Sequence, residues 1–188
     1  MTTPGTTGPR LRNGAYGYGL VTKALHWSVA GLLVVQFTLG YRMADDGGHG
    51  RGRGRDGDSG RGRGRGGEDG FVLFGEDRLL TAHALIGTAI LVLAVVRLVW
   101  RRTTPLPPWS PALSPAERRL AHWTEASLYA LLFAMPLTGM WLFAAGDDDA
   151  LAPHVAAHLA FFAVLAVHLA LVLGHTLVRR DHLLRRML

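Results

Sequence analysis

The chain has no cysteine among its 188 residues. Disulfides, thiolate metal sites, cysteine-ligated iron–sulfur clusters and thioether-attached c-type heme are therefore excluded, and histidine, present nine times, is left as the obvious ligand for a transition metal. Charge is scarce as well: 18% of residues are charged against 49% hydrophobic, and the charges are not spread as over a soluble surface. The opening stretch MTTPGTTGPRLRNGAYGYGL lacks both an early apolar run and a convincing small-residue cleavage site, so it does not read as a cleaved signal peptide.

What the chain has instead is apolar blocks. Four of them, residues 24–41, 79–100, 126–145 and 151–178, are long enough to cross a hydrocarbon core, which takes about 20 helical residues. The first is the shortest and carries Ser28, Gln36 and Thr38. The pattern predicts an all-α integral membrane four-helix bundle over residues 23–188, in contact with lipid, after a flexible tail over 1–22.

A net charge of +6 does not argue for nucleic acid, and no nucleic-acid partner is expected. Lys23, Arg101, Arg102, Arg118, Arg119, Arg179, Arg180, Arg185 and Arg186 cluster at block ends, where they anchor to headgroups. Four spans put both termini on one side. That side carries eleven Lys and Arg against eight opposite, which favours cytoplasmic termini in a bacterial inner membrane.

Six of the opposing eight lie in a Gly-Arg insertion over residues 47–70, which has almost nothing apolar to pack and is expected to be disordered. The second loop is proline-rich and leads into SPAERR. There Ser114 serves as N-cap, Pro115 takes the first helical position, and Glu117 reaches back to the cap. Pro153 suits the first turn of the fourth helix.

Histidines inside apolar segments are costly to leave without a role. His154 and His168 are 168 − 154 = 14 residues apart on one helix, hence on one face and about 21 Å apart along its axis. Heme b is held by two neutral imidazoles on opposite faces of its iron, which requires histidines of equal depth on different helices. Depth pairs His83 with His154 and, more roughly, His26 with His168, giving two hemes. His158, one turn beyond His154 on nearly the same face, remains a rival to it. His175 shares the face of His168 but falls at the headgroups.

These residues sit in motifs. LHW at 25–27, HALIGTAILVLAVVRLVWR at 83–101, AHWTEASLYALLFAMPLTG at 121–139 and the spacing from His154 to His168 resemble the bacterial cytochrome b561 family of four-helix diheme membrane proteins. More distantly they resemble the cytochrome b subunits of membrane hydrogenases and formate dehydrogenases. The resemblance implies that His26, His83, His154 and His168 are axial heme ligands. It also implies that Arg97 and His122 lie near the cytoplasmic heme, in contact with propionate or quinone. The chain departs from the family in the Gly-Arg insertion, at Glu125 and at His158.

The stand-alone members imply a superoxide:quinone oxidoreductase, with ubiquinone as acceptor and arginines such as Arg42 and Arg78 steering the anion at the external mouth. A redox protein is the alternative donor. Two rival functions remain: a non-catalytic electron-transfer subunit of a dehydrogenase or hydrogenase, and a heme-free membrane protein that uses its histidines for another cation.

Overall fold

The computed structural model describes residues 10–14, 17–49, 78–109, 113–145, 151–179 and 187. Four helices dominate: α1 Leu20–His49, α2 Arg78–Thr103, α3 Pro115–Ala145 and α4 Leu151–Leu173, the last continued by a π-helical turn, Gly174–Val178. All four are long and apolar enough to cross a membrane. In lipid every backbone N–H and C=O must be satisfied within the segment, and a continuous helix does this for an apolar run of such length.

α1, α2 and α3 extend past the apolar blocks that foretold them, whereas α4 with its π-helical turn covers its block, 151–178, and no more. α1 starts four residues early and runs on through His49, into the first residues of the Gly-Arg insertion. The insertion was expected to be disordered from residue 47, so the helix overruns that boundary; residues 50–70 lie outside the described residues. α3 starts where the SPAERR motif puts it. The Ser114 backbone N–H donates to Glu117 Oε2 at 2.8 Å and the Glu117 N–H to Ser114 Oγ at 3.3 Å, a reciprocal capping box.

The helices pack in sequence, α1 on α2, α2 on α3 and α3 on α4, with every neighbour antiparallel. Between α1 and α4, by contrast, no close backbone approach exists among the described residues. Side chains bridge that seam: Phe37 of α1 lies against Phe161 and Phe162 of α4, with ring centroids 5.7 and 4.5 Å apart.

The buried core is small and sits at mid-depth. Val29, Ile90, Ala94, Leu132, Met135 and Phe161 form it, with Leu33, Phe37, Leu128 and Leu165 packed around them. Large apolar side chains elsewhere point outward, Val34 at 68% and Leu159 at 60% exposure among them, as lipid-facing helices require.

The described residues before α1, 10–14 and 17–19, are joined to the bundle by hydrogen bonds, within what the sequence reads as a flexible tail. Asn13 Nδ2 donates to the Pro105 carbonyl at 3.0 Å, and Asn13 Oδ1 accepts from the Gly19 N–H at 2.9 Å and from Thr22 Oγ1 at 2.8 Å. The backbone carbonyls of Arg10 and Leu11 take the N–H groups of Leu20 and Val21, which the first turn of α1 leaves without helical partners. A Cβ at Gly19 would lie 2.4 Å from the Arg12 backbone, so this crossing needs glycine.

Candidate functional site

The bundle has two ends: a terminal end, where Trp27 Nε1 donates to the Met187 carbonyl at 3.1 Å, and a loop end, where α1 and α3 finish. At the loop end the structure brings His83 of α2 and His154 of α4 together across the bundle. Their ring centroids are 6.4 Å apart, with planes at 77°. Two metal–imidazole bonds of about 2 Å each, plus the reach from nitrogen to ring centre, give a separation of roughly 6 Å for rings sharing one ion.

The second atoms of these rings are held. His154 Nδ1 lies 3.1 Å from the Met135 carbonyl and 3.2 Å from Thr138 Oγ1. A carbonyl only accepts, so the proton belongs on Nδ1 and Nε2 keeps its lone pair for a metal. Thr138 is fixed in turn by donating to the Ala134 and Met135 carbonyls, at 2.8 and 2.9 Å. His83 is hydrogen-bonded to the backbone of Gln36, and its buried Nδ1 has no partner.

Glycines admit both rings. A Cβ at Gly40 of α1 would meet His83 Cε1 at 3.3 Å, and one at Gly139 of α3 would meet His154 Cε1 at 3.3 Å. Each histidine therefore leans on a glycine of the preceding helix, an arrangement repeated in the α1–α2 and α3–α4 hairpins.

At the terminal end His26 and His168 fall within electrostatic range of each other, with Arg97 in range of both and Glu125 in range of His168. His26 Nδ1 is buried with no hydrogen-bond partner. Such an atom is an unusual cost in a folded protein, and one that a bound group relieves. Arg97 Nε donates to the Tyr129 hydroxyl at 3.0 Å, and its guanidinium lies over the Tyr129 ring, 5.5 Å from the centroid. Arg101 and Glu125 make a bidentate pair, with Nη2 to Oε2 at 2.8 Å. Arg97, Arg101, Glu125, Tyr129, Thr22 and Asn13 line a small open cleft.

The remaining sequence-marked residues lie apart from these pairs. His158 turns toward α1: its Nε2 is 3.1 Å from the Tyr41 hydroxyl and its ring stacks on Phe37 at 5.0 Å. His122 is exposed on α3. His175 is buried at the π-helical turn, its Nε2 3.5 Å from Glu117 Oε1, and Arg179 also pairs with that carboxylate at 2.7 Å. Among the described residues no group of three or more His, Asp or Glu is arranged around a bare metal ion. Paired imidazoles, an orphaned ring nitrogen in each pair and glycine-lined approaches fit a flat iron-bearing group better than a hydrated cation.

The family described as prokaryotic cytochrome b561 matches residues 17–188, which takes in all four helices and every histidine named above. The chain belongs to the prokaryotic cytochrome b561 family. A cytochrome b562 from Cereibacter sphaeroides is 29% identical over 172 residues, covering 92% of this chain and 95% of that protein. Membership makes the chain a membrane cytochrome of the b type, with heme b as its cofactor and electron transfer as its chemistry. In these cytochromes b561 the heme supplies one-electron redox at iron; the protein supplies ligands, burial and nearby charge.

Sequence reasoning did not find Tyr129, Thr138, Gly40, Gly139 or the partnership of Arg101 with Glu125. Each depends on which residues of two helices come level, and no local pattern carries that. Thr138 had a weak signal, a hydroxyl two residues past Pro136 in the otherwise apolar second half of α3.

Proposed function

We propose that the chain holds two hemes b, one between His83 and His154 at the loop end and one between His26 and His168 at the terminal end, and passes electrons from an external donor to ubiquinone in the bilayer. The observation that carries this reading is the 6.4 Å approach of two rings from helices with no close backbone contact. Such a gap between backbones suits a planar guest held by its two axial ligands. In this reading the terminal end faces the cytoplasm, in keeping with the excess of Lys and Arg there.

Superoxide is the preferred donor. Arg42 and Arg78 are exposed at the loop end, near the mouth of the His83–His154 pair, where cations raise the encounter rate of a small anion. Superoxide gives one electron and a quinone takes two, so a pair of hemes can gather both before the acceptor is reduced. At the other end Arg97, held by Tyr129, is suited to a propionate or a quinone oxygen.

The test is a purified preparation supplied with superoxide and a short-chain ubiquinone analogue. Superoxide-dependent quinol formation is expected, with a rate that falls as salt screens charge over about 10 Å at 0.1 M ionic strength. Rapid heme reduction by a partner dehydrogenase, with no quinone-dependent reaction with superoxide, would replace this reading with that of an electron-transfer subunit.

A further inference from the structure

His158 of α4 serves neither histidine pair and bonds across to α1. His158 lies 158 − 151 = 7 residues from the start of α4, about 10 Å into the bundle. It faces the α1–α4 seam, which side chains alone close. Its Nε2 is 3.1 Å from the Tyr41 hydroxyl, and the Tyr41 residue is 54% exposed. Phe37 and Phe162 flank the imidazole, each with its ring centroid 5.0 Å away. Leu159 and Val34, on the same two helices, are exposed apolar side chains.

The geometry points to the Tyr41–His158 pair as the hydrogen-bonding and proton-donating site for a quinone headgroup that enters from the lipid at the α1–α4 seam. The proposal rests on the quinone reading above and assigns a place to its acceptor.

Proton arithmetic supports it. A neutral phenol and a neutral imidazole carry one polar hydrogen each, and their mutual bond uses one. Whichever way that bond runs, one donor is left to point at a third group. The pair lies on an exposed part of the seam, so that donor is open to an acceptor brought by a molecule entering from the lipid. A quinone carries carbonyl oxygens on a flat ring that suits the Phe37 and Phe162 walls, and an apolar tail that suits Leu159 and Val34.

Reduction then balances as quinone plus two electrons and two protons giving quinol. The electrons come singly from the external donor; His83 and His154 would hold the heme that supplies one-electron redox, and His154 lies one turn from His158 on α4. One proton passes from the Tyr41–His158 pair to a quinone oxygen; water at the loop end restores it and supplies the second.

The test uses the purified holoprotein, Tyr41→Phe and His158→Phe, both of which keep a ring in place. Each substitution is expected to raise KM for a short-chain ubiquinone analogue at least tenfold, or lower the quinol-forming rate as much, while both heme bands and the rate of heme reduction by superoxide stay as they were. Unchanged quinone kinetics in both variants would overturn the site. Photolabelling of the wild-type holoprotein with an azidoquinone gives a readout independent of turnover. Label in the peptides around Tyr41 and His158 supports the proposal, and label confined to the Arg97–Tyr129 cleft overturns it while leaving the quinone reading intact. Absence of any saturable label, together with no quinol formation, sinks the quinone reading itself.

Discussion

The rings of His83 and His154 meet at 6.4 Å from helices that do not touch through their backbones, while His158, one turn along α4, is bonded to Tyr41 on another side of the bundle. Two histidines that periodicity leaves nearly equivalent thus have different partners.

Replacing His83 or His154 by Ala is expected to remove the same component of the reduced-minus-oxidised spectrum and to lower heme from two per chain to one. His158→Ala should leave two. A pyridine hemochrome assay with redox difference spectra checks all three, and loss of a heme in His158→Ala with retention in His154→Ala would reverse the assignment on α4.

Gly40→Val and Gly139→Val introduce branched carbons where even a Cβ would already sit 3.3 Å from a histidine Cε1. Both should weaken or abolish the heme at the loop end and spare the other. Overpacking typically costs about 1–3 kcal/mol, here borne by a ring whose angle the iron needs. The spectral component missing from each variant should match that missing from His83→Ala.

Glu125→Gln leaves the Arg101 guanidinium, about a quarter exposed, without its carboxylate. The pair is neither fully buried nor a free surface pair, so a loss on the order of 1–3 kcal/mol is expected, read as a lower Tm in detergent. Arg101→Leu with Glu125→Leu should recover part of it, since the pair's desolvation cost goes as well.

Asn13→Ala removes three hydrogen bonds of the segment before α1, to the Pro105 carbonyl, the Gly19 N–H and the Thr22 hydroxyl, each worth about 1 kcal/mol. Gly19→Ala forces the same segment off the Arg12 backbone. Hydrogen exchange over residues 10–22 should quicken in both variants while heme content holds. Protection equal to wild type would mean that this segment is held by other contacts.

Sequence carried what is local. Apolar run length placed four helices, the Ser114–Glu117 spacing placed the start of α3, and the 14-residue interval put His154 and His168 on one face. It could not carry inter-helix register, so Gly40 and Gly139 read as ordinary helical glycines and the partners of Arg97 and Arg101 were invisible. Residues 10–14 and 17–19 read as tail because Gly, Thr and Pro give no periodicity, yet a single asparagine side chain and two backbone carbonyls bond them to the helices. His158 stayed ambiguous for a related reason: helical phase fixes direction only to within a turn's spread, and Tyr41 lies on a helix whose rotation the sequence does not specify.

The wide turn at Gly174–Val178 changes the phase of everything after it. A π-helical turn takes up one residue more than the α-helical ladder would, so the angular count that relates His154 to His168 no longer applies at His175 or Arg179. Deleting a single residue there would return the ladder to α geometry and leave Arg179 close to its present direction, toward Glu117, because the residue removed is the one the wide turn absorbs. The last turn of α4 is in this sense indexed separately from the part of the same helix that carries His154 and His168: its length can drift by a residue without moving either histidine or the Arg179–Glu117 contact.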